Sequence, residues 1–315
     1  MMILNTGSRT DIPGFFADWF YRRVREGYVL VRNPYYPQQI LRYRISPEVV
    51  DCIVFCTKNP APMLKRLSEL DAYRQFWFTT ITPYGKDIEP FVPDKEQVCD
   101  DLRRISEQVG IGAVGWRYDP IFLLDDYDIA FHVKAFETMA KRLEGSVDQV
   151  TISFIDLYEK TRRNFPRVKE VSRQDQILLA KEFVAIGKAY GMQIRSCHEG
   201  DFLAEYGVEV SGCMNQQVIE RAIGGSIRVP KKPTARQGCN CLLGSDIGAY
   251  HSCGHGCLYC YANYDRKTVE QNRAQHDPLS PLLIGHPGEG DVIKDARQES
   301  WYEGQLSLDM LLQSE

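Results

Sequence analysis

Three cysteines crowd one short stretch of the chain, "HSCGHGCLYCYANYD": Cys253, Cys257 and Cys260, with Tyr259 before the last and Tyr261 after it. Thiolates ligate soft and borderline metals. Gaps of three and two residues let one tight loop wrap three corners of a cubane iron–sulfur cluster, leaving one iron without a protein ligand. The competing reading of the same residues is tetrahedral zinc, with His251 or His255 as the fourth ligand. Structural zinc sites pair short CxxC knuckles more often than they use one three-cysteine loop, which favours the cluster.

A second block of thiols precedes the first: Cys197, Cys213, Cys239 and Cys241, the last two in "GCNC". Four soft ligands complete a closed site, either a second iron–sulfur cluster or tetrahedral zinc. The adjacent loop and the CxC spacing favour a second cluster. Residues 199–242 lack strong periodicity, so bound metal is expected to stabilise them directly. Cys52, Cys56 and Cys99 fall in strand and helix patterns and read as small buried hydrophobes.

What must position these residues is a series of short apolar runs alternating with helix-period segments. "MMILN", "VDCIVFCT", "QFWFTTIT", "IGAVGWRY", "DQVTISFI" and "MQIRSC" read as buried strands. Between them, Asp94 with Gln97 resembles a capping box, and Val98, Leu102, Ile105 and Val109 share one helical face. Ile129, Val133, Phe136, Ala140 and Leu143 repeat the pattern, as do Ile177, Ala180 and Val184. This alternation predicts an α/β fold, a parallel sheet curling into a full or partial (β/α) barrel. Residues 28–45, with alternating apolar positions and paired prolines, break the rhythm as a hairpin-like insertion.

The carboxyl ends of parallel strands gather on one face, and such faces carry active sites. The runs end in "GSRTD", "TKNP", "TPYGKD", "RYDP", "FID" and "CHEGD". Arg9, Asp11, Lys58, Arg117, Asp119, Asp156 and His198 are therefore expected to converge; helix capping and surface loops are the plainer account of any single one. Lys58, Arg117, Asp119 and Asp156 are the candidate catalytic residues. Their mixed charges suit a polar or phosphorylated substrate better than a lipid. Tyr35 and Tyr36, near Arg42 and Arg44, could stack on a nucleobase, though a plain folded insertion explains them equally well.

The chain has 315 residues, suited to one barrel of about 250 residues with an appendage. The reading divides it into strand–helix units at 1–198, a cysteine-rich segment at 199–242, and a cluster-loop unit with tail at 243–315. A net charge of −4 gives no general basic excess for non-specific nucleic-acid binding. No apolar run approaches the ~20 residues of a membrane span, and the start lacks a signal peptide's pattern. A cytoplasmic protein with no membrane partner is expected, its cysteines reduced and serving metal rather than disulfides.

The spacing CxxxCxxC with an aromatic before the last cysteine resembles the signature of the radical S-adenosylmethionine superfamily. "GHGCLYCYAN" is similar to the cluster loop of spore-photoproduct-lyase-like members, and "TKNPAPMLKRLSEL" with "FTTITPYGKDIEPFVPDKEQVCDDLRRISEQVGIGAVGWRYDPI" resembles their successive strand–helix units. The resemblance implies a 4Fe–4S cluster that binds S-adenosylmethionine at its open iron and makes a 5′-deoxyadenosyl radical for hydrogen abstraction. It implies also an electron donor such as flavodoxin or ferredoxin. In those proteins the cluster loop comes first; here it comes last, preceded by the strand-like "SDIGAY", which suggests circular permutation. Where many members carry Gly-Gly-Glu, this chain has "GSRTD", so Ser8, Thr10 or Asp11 would take the methionine amino group and Arg9 or Lys58 its carboxylate. Tyr259 would meet the adenine through its backbone, with Asn263 assisting. Over nearly its whole length, through "TGSRTDIP", "RNPYYPQQ", "TKNP" and "SPLLIGHPGEGD", the chain resembles the DUF1848 family. That resemblance names no substrate: a small molecule and a nucleic acid both stay open, as does a non-catalytic iron–sulfur or zinc protein, one that binds nucleic acid included.

Overall fold

The computed structural model describes residues 2–229, 241–242 and 244–303. Strand β1 (Ile3–Asn5) leads into α1 (Ile12–Phe15) and α2 (Ala17–Glu26), which stops at Gly27, a left-handed residue with φ 74°. Glycine reaches that conformation without a Cβ clash. The hairpin β2 (Tyr28–Arg32) and β3 (Gln39–Arg44) follows, then β4 (Cys52–Thr57), α3 (Ala61–Leu64), β5 (Gln75–Thr80), α4 (Lys95–Val109) and β6 (Val114–Ile121). After these come α5 (Ile129–Leu143), β7 (Gln149–Phe154), α6 (Glu159–Asn164), α7 (Arg173–Ala189), β8 (Gln193–Ser196) and α8 (Gln216–Ile223). The chain continues through β9 (Ser245–Asp246), α9 (Arg266–Ala274) and β10 (Val292–Asp295).

Seven strands form one sheet in the order β8-β7-β6-β5-β4-β1-β9, every pair parallel. Helices flank the sheet, an α/β arrangement compatible with a partial parallel barrel. The six apolar runs identified in the sequence are β1, β4, β5, β6, β7 and β8. Short β9 pairs Leu4 with Ser245 and Asn5 with Asp246, so the last strand of the sheet in sequence lies beside the first.

The two faces of the sheet are packed differently. Leu4, Ile53, Phe55, Trp77, Trp116, Val150 and Ile194 point to the helix layer and meet Trp19, Phe20, Leu102, Phe136 and Phe183. Phe55 stacks on Trp77 at 4.0 Å, and Phe136 on Phe183 at 4.1 Å. Ile3, Cys52, Val54, Phe76 and Phe78 point the other way and bury Val218, Ile219 and Ile223 of α8. Helix α8 thus covers part of the inner face.

The hairpin insertion is as the alternation predicts: β2 and β3 pair antiparallel. Strand β10 adds to its edge, parallel to β3, which the sequence reading did not foresee. The capping box at α4 forms by half. Asp94 accepts from the Glu96 and Gln97 amides, while the Gln97 side chain reaches forward to Asp101 rather than back. Cys52 and Cys99 are buried in the core, as small hydrophobes would be. No described helix is long and apolar enough to cross a membrane.

Candidate functional site

Because β9 runs parallel to β1, the loop that follows it emerges at the carboxyl ends of the strands. Asp246 anchors this entry, accepting from the amides of Ser8 and Gly248 at 2.8 Å each. The turn after β1 approaches β4 so closely that a Cβ on Gly7 would stand 2.2 Å from the carbonyl oxygen of Cys56, so only glycine fits there. Tyr261 closes the same corner by donating to the carbonyl of Ser8.

The loop carrying Cys253, Cys257 and Cys260 is held from three sides. Ser252 donates to Thr10 at 2.9 Å, Leu258 N to the Ile88 carbonyl at 3.1 Å, and Asn263 Nδ2 to the Cys253 carbonyl at 2.8 Å. Burial pushes all three thiols up, Cys257 to about 12; neighbouring cysteines add to the rise at Cys253 and Cys257, while Lys160 and Lys58 oppose it at Cys260. Among the described residues no thiol–thiol hydrogen bond joins them. His255 turns away to Asp11, with Nε2 2.7 Å from Oδ2, and His251 Nδ1 accepts from the Tyr264 amide. Neither histidine is therefore free as it stands to complete a zinc site with the loop cysteines. Asn263 Oδ1 is buried beside the loop without a hydrogen-bond partner.

Next to the loop lies a buried charge network that the sequence reading saw only in part. Lys58 Nζ donates to Glu89 Oε1 at 2.8 Å and to Thr82 Oγ1 at 3.1 Å; Lys95 and the Tyr259 hydroxyl also donate to Glu89. Burial alone would raise the Glu89 carboxyl, but Lys58 and Lys95 more than offset it and hold it down to about 2. Lys58 is burdened by burial too, yet Glu89 and Cys257 raise it. The Lys58 ammonium sits 5.6 Å from the Tyr259 ring centroid. Glu89 and Lys95 lie in a loop and at a helix start without any recognisable motif, and only their contact with Lys58 marks them.

The residues of the first strand end are spread over this frame. Asp11 uses its carboxylate as the N-cap of α1 and accepts from Thr57 Oγ1 and from the Lys58 amide. Thr10 is buried under Ser252; Ser8 and Arg9 face Asp246, with Arg9 Nε 3.8 Å from its carboxylate.

Across the sheet, Arg117 and Asp119 on β6 form a second pair, and Ser153 donates to Asp119. Glu199 stands near Asp119 and accepts from the Phe154 amide. Burial first, then Asp119 and Asp156, raise its carboxyl to about 8. Asp156 is itself exposed, and so is His198, whose φ is 65°. The expected convergence is thus close for Asp11, Lys58, Arg117 and Asp119, while Asp156 and His198 sit at its rim.

Three thiols of the second block meet beside Arg117. Cys213 Sγ is 3.5 Å from Cys197 Sγ and 3.3 Å from Cys241 Sγ, and Cys197 lies within hydrogen-bonding reach of Cys241 as well. Those hydrogen bonds, opposed by burial and helped by Arg117, hold the Cys197 thiol well below its ordinary range. Cys239 lies outside the described residues. Cys56 is half-buried at the same wall, within the field of Arg117 and Cys197, rather than sealed in the core. As they stand, no group of three or more His, Cys, Asp or Glu side chains among the described residues is arranged to hold a metal ion.

A cavity of about 600 Å³ opens between the loop and α9, bordered by Phe15, Phe91, Cys253, Cys257, Arg266 and Arg273. Its walls set Phe15 and Phe91 beside two guanidiniums and the carboxylates of Asp265 and Glu270, and Arg273 packs over Phe15 at 4.5 Å.

The chain matches the model of one protein family over residues 3–262, a domain of unknown function (DUF1848). No curated protein matches it.

Proposed function

The chain belongs to the DUF1848 family, and on that premise we propose that it is a radical S-adenosylmethionine enzyme acting on a polar substrate. The observation that carries this reading is the loop itself. Three half-buried thiols share one short loop at the carboxyl end of a parallel strand, with no hydrogen bond joining them and both neighbouring histidines committed elsewhere. Thiols on separate corners of a cubane are kept apart by the cluster, whereas thiols on one zinc ion touch, so this loop fits the cluster better. Held by Cys253, Cys257 and Cys260, a 4Fe–4S cluster with S-adenosylmethionine on its open iron would supply a 5′-deoxyadenosyl radical.

The chain's own groups prepare that place. Asn263 offers its unpaired Oδ1, and Arg9 and Lys58 are cations that could meet a carboxylate. Asp11 and Thr10 act by fixing the loop, since their acceptors are already taken. Tyr259 turns its ring inward to Glu89, and its carbonyl accepts from Thr161. Arg117, Asp119 and Ser153 form a polar wall, and Glu199, neutral near pH 7, adds a proton donor to it. Such a wall suits a substrate with hydroxyl, amide or phosphate groups.

We read the order of the sheet as a circular permutation of the superfamily's barrel; β9 lying parallel beside β1 supports it. A donor of flavodoxin or ferredoxin type would supply the electron. The test is anaerobic reconstitution followed by electron paramagnetic resonance with and without S-adenosylmethionine. A reduced cluster whose signal changes on adding the cofactor, with 5′-deoxyadenosine formed, is the expected result. A cluster indifferent to the cofactor, yielding no nucleoside under strong reductant, would replace this reading with a non-catalytic metal protein.

A further inference from the structure

We propose that Cys197, Cys213 and Cys241 bind a single zinc ion as a three-thiolate site set against the inner face of the sheet, separate from the loop cysteines.

The sulfur spacing argues for one ion. Zinc–thiolate bonds of ~2.3 Å at tetrahedral angles put neighbouring sulfurs about 3.8 Å apart. The three thiols here stand at 3.3 and 3.5 Å, with the third pair also in hydrogen-bonding reach. Sulfurs joined by S–H hydrogen bonds are drawn slightly inside that edge, and an ion entering between them needs to part them by only a few tenths of an ångström. A cubane cannot use the same positions, because its thiolates sit on different irons across the width of the cluster. A two-iron cluster places no more than two thiolates on each iron, so three in mutual contact do not fit it either. The geometry therefore selects zinc over the second iron–sulfur cluster that the CxC spacing suggests.

The surroundings point the same way. Cys213 and Cys241 are buried among Val54, Phe78, Met214 and Ile219, and Cys197 follows directly on β8. Free thiols in an apolar wall have no need to meet in a triangle. The Arg117 guanidinium, paired with Asp119, stands within the field of Cys197 and Cys213 and offsets part of the negative charge that three thiolates on a divalent ion leave over. The ligands tie the end of β8, the turn before α8 and the segment leading to β9, three places that no regular element joins. Binding stabilises them together, which suits a stretch with little secondary structure of its own.

The test uses the full-length Cys253→Ala/Cys257→Ala/Cys260→Ala protein, so its outcome does not depend on the loop cluster or on the enzymatic reading. Elemental analysis should find about one zinc per chain and neither iron nor acid-labile sulfide. X-ray absorption at the zinc edge should count three or more sulfurs at about 2.3 Å. Cobalt(II) in place of zinc should give intense thiolate-to-metal charge transfer. Adding Cys213→Ser should cut bound zinc at least about tenfold. If that variant does not fold, the sulfur count on the triple variant decides. A folded triple variant with no metal, a Cys213–Cys241 disulfide in its place, iron with sulfide, or zinc retained undiminished after Cys213→Ser each overturns the proposal.

Discussion

His255 Nε2 stands 2.7 Å from Asp11 Oδ2, both side chains almost fully buried, so the cysteine loop at one end of the chain is latched to the first strand end at the other. His255→Ala leaves Asp11 with its bonds from Thr57 and the Lys58 amide, and the cost is accordingly that of one buried hydrogen bond rather than of an abandoned charge. A loss of about 1–3 kcal/mol in chemical denaturation is expected. Full stability in that variant would show that the latch is not holding the loop.

Alanine in place of Cys253, Cys257 or Cys260 removes one of only three protein ligands. Each variant should fold, since the loop keeps its bonds to Thr10, Ile88 and Asn263, yet reconstituted iron and 5′-deoxyadenosine should fall below about a hundredth of the unaltered protein's. Iron quantitation and nucleoside chromatography read this, and a variant that keeps both would remove its cysteine from the ligand set.

Glu89 has its carboxyl moved from the ordinary 4.5 down to about 2. A depressed acid contributes stability that is fully present above 4.5 and is lost as pH falls toward 2. Glu89→Gln leaves Lys58 and Lys95 without their counter-charge; it should cost about 3–5 kcal/mol at neutral pH and flatten the loss between those values. Urea melts at several pH values check it. An unchanged acid limb would mean that the network does not govern this window.

Glu199 moves the other way, from 4.5 to about 8. The folded protein then binds more protons than the unfolded chain across that interval, so stability falls as pH rises through it. Glu199→Gln keeps an acceptor for the Phe154 amide and removes the titration. It should be the more stable protein at pH about 8 and nearly equal at about 4.5. Melting curves that stay parallel across the range would exclude the carboxyl as the source.

The strands were legible because each is an apolar run bounded by turn residues, and the carboxyl-end rule then gathered Asp11, Lys58, Arg117 and Asp119 without knowledge of the fold. What was not legible follows from length and distance. Helix α8 is eight residues long, too short for its three buried positions to stand out in the segment 199–242. Strand β10 is four exposed residues whose only reason for being extended is the edge of β3, more than 250 positions away. Glu89, Lys95 and Glu199 belong to no motif; what makes them notable is burial next to other charges, and burial of a loop carboxylate is a property of the folded chain. The cysteine spacing raised the expectation of metal, but only the folded chain shows that Cys213 touches both Cys197 and Cys241 while no hydrogen bond joins the loop thiols.

The pairing of β9 with β1 has a consequence for how the protein is made. On the ribosome β1 emerges first and can pair with β4 soon after, but its other edge stays open until some 240 further residues have been synthesised. The cysteine loop is translated later still, onto a sheet already laid down, and Ser8, Thr10 and Asp11 wait there for Asp246, Ser252 and His255. Docking of the loop is thus a late event of assembly, followed by α9 and by the addition of β10 to the edge of β3. A chain cut short before residue 245 would present an unfilled strand edge, a template for pairing with other chains.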